Sequence, residues 1–85
     1  MLSTEDVRRL IEEALPGARV EVGTFQGDDH FAATVEAPQF VGKTRVEQHQ
    51  MVYRAVRNHL GGAMHALQLT TRPLESEPTN KGAGS

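Results

Sequence analysis

The sequence predicts an α+β domain in which two helices cover one face of a three-stranded mixed sheet. Two segments carry apolar residues at helical spacing, and three shorter segments alternate polar and apolar residues as half-buried strands do. Their order is helix, strand, strand, helix, strand. A strand–helix–strand unit is nearly always a right-handed crossover to a parallel strand. With 85 residues the chain can build one small core.

The first predicted helix begins with a capping box, because Ser3 is followed three residues later by Asp6. One apolar stripe then follows at spacings of three and four residues, typical of an amphipathic helix: Val7, Leu10, Ile11 and Ala14. The Pro16-Gly17 pair ends this helix.

Two strands joined by a short turn come next, and such a pair should be antiparallel. The first covers residues 19–24 and the second residues 30–36, with a hairpin turn at 26–29, where Gly and Asp accept the required backbone angles. In the second strand, alternation places one set of side chains on the core face: Phe31, Ala33 and Val35.

The second helix is predicted to run from an N-cap at Thr44 to about Leu60, before the Gly61-Gly62 stop. Five residues are predicted to form the inward stripe of this helix: Val46, His49, Tyr53, Val56 and Leu60. Val52 lies beside the stripe. Met51 lies nearly opposite it, which makes Met51 an exposed residue and a candidate contact for a protein partner.

The third predicted strand covers residues 64–71. Residues 72–85 contain one large apolar side chain, Leu74, and are predicted to be a disordered tail. The folded domain therefore spans residues 1–71.

Composition excludes several functional classes. There is no cysteine, which rules out disulfides, thiol catalysis and a metal cluster held by this chain's own thiolates. No stretch resembles a membrane span or a signal peptide, so a cytoplasmic protein without membrane contact is the expectation. The chain has no nucleophile elbow, P-loop or dinucleotide motif, and a non-enzymatic protein is expected.

The net charge of −2 is unevenly distributed, because residues 43–60 carry +3. This segment is either a solvated helix surface or a docking surface for phosphate or an acidic partner. Its basic residues are the candidates for nucleic-acid binding: Lys43, Arg45, Arg54 and Arg57.

The four histidines are the principal candidate metal ligands, and their spacings match no local metal motif. His49 is predicted to lie in the core or at its boundary, and His59 to interact with the negative end of the helix dipole. His30 and His65 stand at the starts of two strands predicted to be parallel. Both histidines should therefore lie at one edge of the sheet, where they could form a site in space.

The pattern F-x-G-x-x-R-V-x-x-H-x-x-V-Y over residues 40–53, joined to Met64-His65-Ala66-Leu67, resembles the BolA family. The similarity points to its small bacterial acid-stress branch and extends over residues 2–71. It implies a fold similar to the class II KH domain, with the element order αββαβ. Many relatives continue the third strand into a T-P-x-x-W segment and a short final helix, and this chain lacks that segment.

The resemblance also implies a non-enzymatic adaptor that partners a monothiol glutaredoxin and acts in cluster trafficking or in iron, redox and stress regulation. In such pairs a [2Fe–2S] cluster is shared between the two proteins and glutathione, and the isolated chain, a monomer or weak dimer, holds none. The family's ligand histidine corresponds to His65, and His30 is the candidate for the second ligand. The alternative implied is a DNA-binding regulator of stress response and cell shape. The chain has no GxxG loop of the kind with which KH domains clamp a nucleic-acid backbone.

Overall fold

Five regular elements follow one another as helix, strand, strand, helix, strand in a computed structural model that describes residues 2–25, 27, 30–60, 64 and 66–74. Short 3₁₀ turns at Pro38–Phe40 and Arg57–His59 precede and follow the second helix. The elements are α1 (Thr4–Ala14), β1 (Arg19–Thr24), β2 (His30–Ala37), α2 (Arg45–Val56) and β3 (Ala66–Pro73). The architecture confirms the predicted α+β class and element order.

The sheet has the order β1-β2-β3, so β2 is central and the other two strands form the edges. β1 pairs antiparallel with β2, and β2 pairs parallel with β3, as the sequence predicted. Most of the predicted hairpin turn, at positions 26, 28 and 29, lies outside the described residues. Gly27 in that turn has a φ of 110°, a backbone conformation that glycine adopts at little cost.

Both helices pack on one face of the sheet. The side chains of β2 on that face are therefore buried, whereas those on the other face are partly exposed. Apolar side chains exclude water from the space between sheet and helices, which is the main favourable contribution to folding. The fully buried residues include Val7 and Ile11 from α1, Phe31 and Val35 from β2, Phe40, and Val52 and Val56 from α2.

The capping box of α1 is present as predicted. The Ser3 hydroxyl accepts a hydrogen bond from the Asp6 N–H at 3.0 Å, and the Asp6 carboxylate accepts one from the Ser3 N–H at 3.0 Å. This backbone hydrogen bond is the largest cause that lowers the pKa of Asp6 below its ordinary value of 3.8; the bond with the Ser3 side chain lowers it further.

We expect Asp6 to make stability depend on pH at the acidic end. Because the folded-state pKa is lowered, its contribution is present above pH 3.8 and is lost as pH falls through the folded value. Between neutral pH and about pH 3, the melting temperature of the parent chain should therefore fall further than that of Asp6→Asn. Glu13→Gln, which removes an exposed carboxylate outside the box, is the control. If the difference in melting temperature between the parent chain and Asp6→Asn stays constant with pH, this expectation is contradicted.

The inward face of α2 differs from the predicted stripe. The buried residues are Gln48, Val52 and Val56, whereas Val46 is 65% exposed and Leu60 37% exposed. The buried face is rotated by roughly 80° from the predicted one, close to the angle between successive helical residues. The Gln48 amide donates a hydrogen bond to the Lys43 carbonyl at 3.0 Å, which allows this polar side chain to be buried.

The rotation of α2 also changes the position of Met51. This residue was predicted to be exposed, but it is partly buried and packs against the core. The helix ends at Val56, four residues before the predicted end, and continues as the tighter 3₁₀ turn. Leu60 instead forms an isolated parallel bridge with Met64.

β3 extends further than predicted. It includes Arg72 and Pro73, which had been placed in the tail, and the Leu74 N–H donates to the Ala37 carbonyl at 3.0 Å. The Arg72 guanidinium contacts the Glu36 carboxylate of β2 at 3.2 Å, which contributes to holding this end of the strand in register. Residues 75–85, the rest of the predicted tail, lie outside the described residues. Neither described helix has the length and apolar character needed to cross a bilayer.

Candidate functional site

His30 begins the central strand at the end of the sheet where β3 also begins. Its partner across the parallel ladder is Ala66, the first residue of β3. The backbone of His30 is fixed, because its carbonyl accepts a hydrogen bond from the Phe25 N–H at 2.9 Å. The imidazole is half-buried and lies against the Phe25 ring, with centroids 5.6 Å apart and planes inclined at 57°.

His65, the other predicted metal ligand, lies outside the described residues. The structure does describe Ala66, which follows it directly and sits opposite His30. Neighbouring strands are about 4.8 Å apart and successive Cα atoms about 3.8 Å apart. The backbone register therefore places Ala66, the residue that follows position 65, close to His30. That the two histidines form one site remains a prediction.

Among the described residues at this end of the sheet, the candidate metal ligand is the imidazole of His30. Within residues 2–25, 27, 30–60, 64 and 66–74, no three histidine, aspartate or glutamate side chains are placed to hold a metal ion. The chain has no cysteine. His30, joined by His65, would therefore supply imidazole to a metal group whose other ligands come from elsewhere. Imidazole is an established ligand for iron and for one iron of a Rieske cluster.

The four basic residues proposed for nucleic-acid binding are all exposed but belong to separate surfaces. Lys43 lies in the loop before α2, and Arg45 lies in the first turn, beside a cavity shared with β3. Arg54 lies about 13 Å along the helix from Arg45, and Arg57 lies in the 3₁₀ turn after the helix. These two arginines line a shallow depression with Gln50 and Tyr53. The structure therefore pairs Arg54 with Arg57 and separates both from Arg45.

The remaining two histidines lie at the edges of the helical layer. His49 is half-buried and lines the Arg45 cavity, consistent with the predicted boundary position. His59 is half-buried in the 3₁₀ turn after α2 and lines a depression with α1 residues that include Asp6 and Arg9. Because α2 ends at Val56, His59 is three residues beyond the helix whose dipole it was predicted to meet.

Two residues near the candidate site were not identified from the sequence as such. Phe25 follows β1, and its ring contacts the ring of His30. The sequence feature that could have identified it is its place directly before the predicted turn, on the other side of which lies His30. Tyr53 was predicted to be a core residue, but it is 36% exposed and its hydroxyl donates to the Leu67 carbonyl at 3.2 Å. Tyr53 thus connects α2 to β3 one residue from Ala66.

Comparison with known proteins identifies similar sequences and folds. The family model described as BolA-like protein matches residues 9–76. BolA-like protein 1 of Homo sapiens is 30% identical over 74 residues, which cover 78% of this chain and 54% of that protein. UV-induced protein uvi31 of Schizosaccharomyces pombe is 34% identical over 50 residues, 59% of this chain and 49% of that protein. The chain thus spans about half the length of these two relatives.

Solved structures give the same result for the fold. A bolA protein homologue from Coxiella burnetii is 33% identical, with a TM-score of 0.73 over 94% of this chain and all of that one (100%). The XC975 protein is 51% identical, with a TM-score of 0.58 over 86% of this chain and 90% of that one. The BolA domain of SufE1 from Arabidopsis thaliana, 23% identical, shares the fold with a TM-score of 0.73 over 82% of this chain and 90% of that one. Assignment to the acid-stress branch remains a prediction.

Proposed function

Because the chain belongs to the BolA-like protein family, we propose that it is a non-enzymatic adaptor that shares a [2Fe–2S] cluster with a monothiol glutaredoxin and glutathione. His65 is the principal ligand from this chain and His30 the second. The observation that carries the proposal is the register of the parallel strands, which sets His30 opposite Ala66 and therefore beside the chain that continues from His65. The partner class is the one that the resemblance to the family implies.

The chemistry of the donors fits this role. A chain without cysteine cannot hold a cluster by thiolates, so the thiolate ligands must come from the glutaredoxin and from glutathione. Imidazole in place of thiolate on one iron raises the reduction potential, which is the property the histidines would give to a shared cluster. Phe25 packs against the ring of His30 and thereby restricts its orientation.

The surroundings of His30 also suit contact with another protein. The imidazole lies at the end of the sheet rather than within the core, and it is half-buried rather than enclosed. The fixed backbone means that docking a partner here does not require ordering of the strand itself. This chain's part in the shared site is to position imidazole nitrogens and to cover one side of the cluster.

The test is to mix the full chain with a monothiol glutaredoxin, glutathione, ferrous iron and sulfide under anaerobic conditions, and to record visible absorption and circular dichroism. We expect a coloured heterodimer, and a changed spectrum with His65→Ala. We expect a second, smaller change with His30→Ala, because that residue is the additional ligand. Size-exclusion chromatography with iron analysis measures the complex and its metal content.

His49→Ala is the matched control, because it removes a half-buried histidine that lies beside Leu69, Thr70 and Thr71 rather than at the start of β3. It should leave the spectrum of the heterodimer unchanged. Far-UV circular dichroism of each variant shows that it is folded. A mixture that stays colourless, or a spectrum that His65→Ala leaves unaltered, would contradict the proposal.

The DNA-binding alternative makes a different prediction. Binding carried by phosphate contacts weakens steeply as salt rises, and removal of Arg54 and Arg57 should weaken it further. Titration of the isolated protein with duplex DNA at two salt concentrations separates the two functions, because the cluster-sharing adaptor requires no such affinity.

A further inference from the structure

A cavity of about 230 Å³ lies between the first turns of α2 and the outer edge of β3. Its lining consists of Arg45 and His49 from the helix and Leu69, Thr70 and Thr71 from the strand. Thr70 is four residues along β3 from Ala66, which corresponds to about 13 Å. The cavity is therefore separate from the end of the sheet that holds His30.

The charge in this cavity is positive. Arg45 and His49 are one helical turn apart and both face β3, and no carboxylate lines the cavity within the described part of the chain. The glutamate closest in sequence, Glu47, is engaged, because its carboxylate accepts the Thr44 N–H at 2.9 Å. Arg45 forms no ion pair with any residue that the structure describes, so its guanidinium can still bind an anion.

The strand side of the cavity adds neutral polar groups. The Thr71 hydroxyl oxygen is buried and makes no hydrogen bond among the described residues, which is a costly state for a polar atom. β3 is an edge strand, so some of its backbone groups face outward rather than toward β2. Two elements of the fold therefore present hydrogen-bonding groups to the same small space.

The geometry points to a binding site for a phosphate-type oxyanion, either inorganic phosphate or the phosphate of a small monoester. The Arg45 guanidinium matches such a group with two parallel hydrogen bonds, and His49 from the helix and the exposed Thr70 from the strand line the same space. The volume is below the roughly 300 Å³ at which pockets for drug-sized ligands begin. The site thus accommodates a phosphate group and leaves the rest of a monoester outside.

The test is a titration of the ¹⁵N-labelled full chain with inorganic phosphate and separately with glycerol 3-phosphate, at constant ionic strength maintained with chloride. We expect saturable shifts of the amide signals of Arg45, His49, Thr70 and Thr71. Arg45→Gln should weaken binding about tenfold, the effect of losing one charge-assisted contact. If glycerol 3-phosphate binds more tightly than inorganic phosphate, the ligand is a phosphorylated small molecule. If inorganic phosphate binds as tightly or more tightly, the ligand is the free ion.

Arg57→Gln is the matched control, because it removes the same charge from the opposite end of the helix. It should leave the affinity for phosphate unchanged, and far-UV circular dichroism shows that both variants are folded. Shifts that do not saturate, or an equal loss of affinity in Arg45→Gln and Arg57→Gln, would overturn the site, because they indicate diffuse attraction to a basic helix. No glutaredoxin or iron is present, so the outcome is independent of the cluster-sharing proposal.

Discussion

Replacing Phe40 with alanine is expected to leave the protein only marginally stable at room temperature. Phe40 is fully buried in the 3₁₀ turn between β2 and α2, where it packs in the core beneath the sheet. Truncation of a buried phenylalanine typically costs about 3–5 kcal/mol, through lost transfer free energy and the cavity left behind. A domain this small begins near the lower end of the usual ~5–15 kcal/mol, so the loss removes most of its stability. Urea unfolding followed by circular dichroism measures it.

Val41→Ala is the control for this experiment. Val41 directly follows Phe40 but is 51% exposed, so the expected change in the free energy of unfolding is within about 0.5 kcal/mol. Both neighbours are apolar, so their residue types alone do not show which of them is buried. Similar losses in both variants would contradict the burial of Phe40 and the exposure of Val41 in this turn.

Val52→Ala is expected to lower the free energy of unfolding by about 2 kcal/mol. The Val52 side chain is fully buried at the centre of the inward face of α2. Each buried methyl or methylene group contributes about 0.8 kcal/mol, and a residual cavity adds to the loss of two such groups. Urea unfolding at equilibrium gives the difference, and an unchanged m-value indicates that the folded state keeps its compactness.

Val46→Ala makes the same chemical change on the same helix at a position that is 65% exposed. The structure predicts a change within about 0.5 kcal/mol, whereas the stripe inferred from the sequence places Val46 in the core. The pair therefore tests the rotation of α2 directly. A larger loss for Val46→Ala than for Val52→Ala would restore the inward face predicted from the sequence.

The alternating pattern of β2 was sufficient to predict both the strand and its buried face. Phe31 and Val35 alternate with polar or small residues, and only one face of a strand can be buried against the helices. The two N-caps, Ser3 and Thr44, were predictable for a similar reason, since a capping hydrogen bond spans only three residues. Features that depend on near neighbours in the chain are encoded in the sequence around them.

The inward face of α2 was not predictable in this way. Its apolar residues lie on more than one side of the helix, so periodicity alone does not select the buried one. Gln48 occupies a core position because its amide bonds to the Lys43 carbonyl, and Met51 packs against the core as a consequence of the same rotation. Which face of α2 is buried depends on how the helix packs against α1 and the sheet. The residue pattern of α2 alone does not contain that information.

The sequence alone determined that the chain has no cysteine, which makes histidine its principal candidate metal ligand, and that His30 begins a strand. Only the tertiary structure decided the register that sets His30 opposite Ala66 and the cavity where Arg45 meets β3. The physical reason is the range of the interactions. Composition and periodicity report on neighbours along the chain, whereas strand register and helix rotation minimise the free energy of contacts between residues that are distant in sequence.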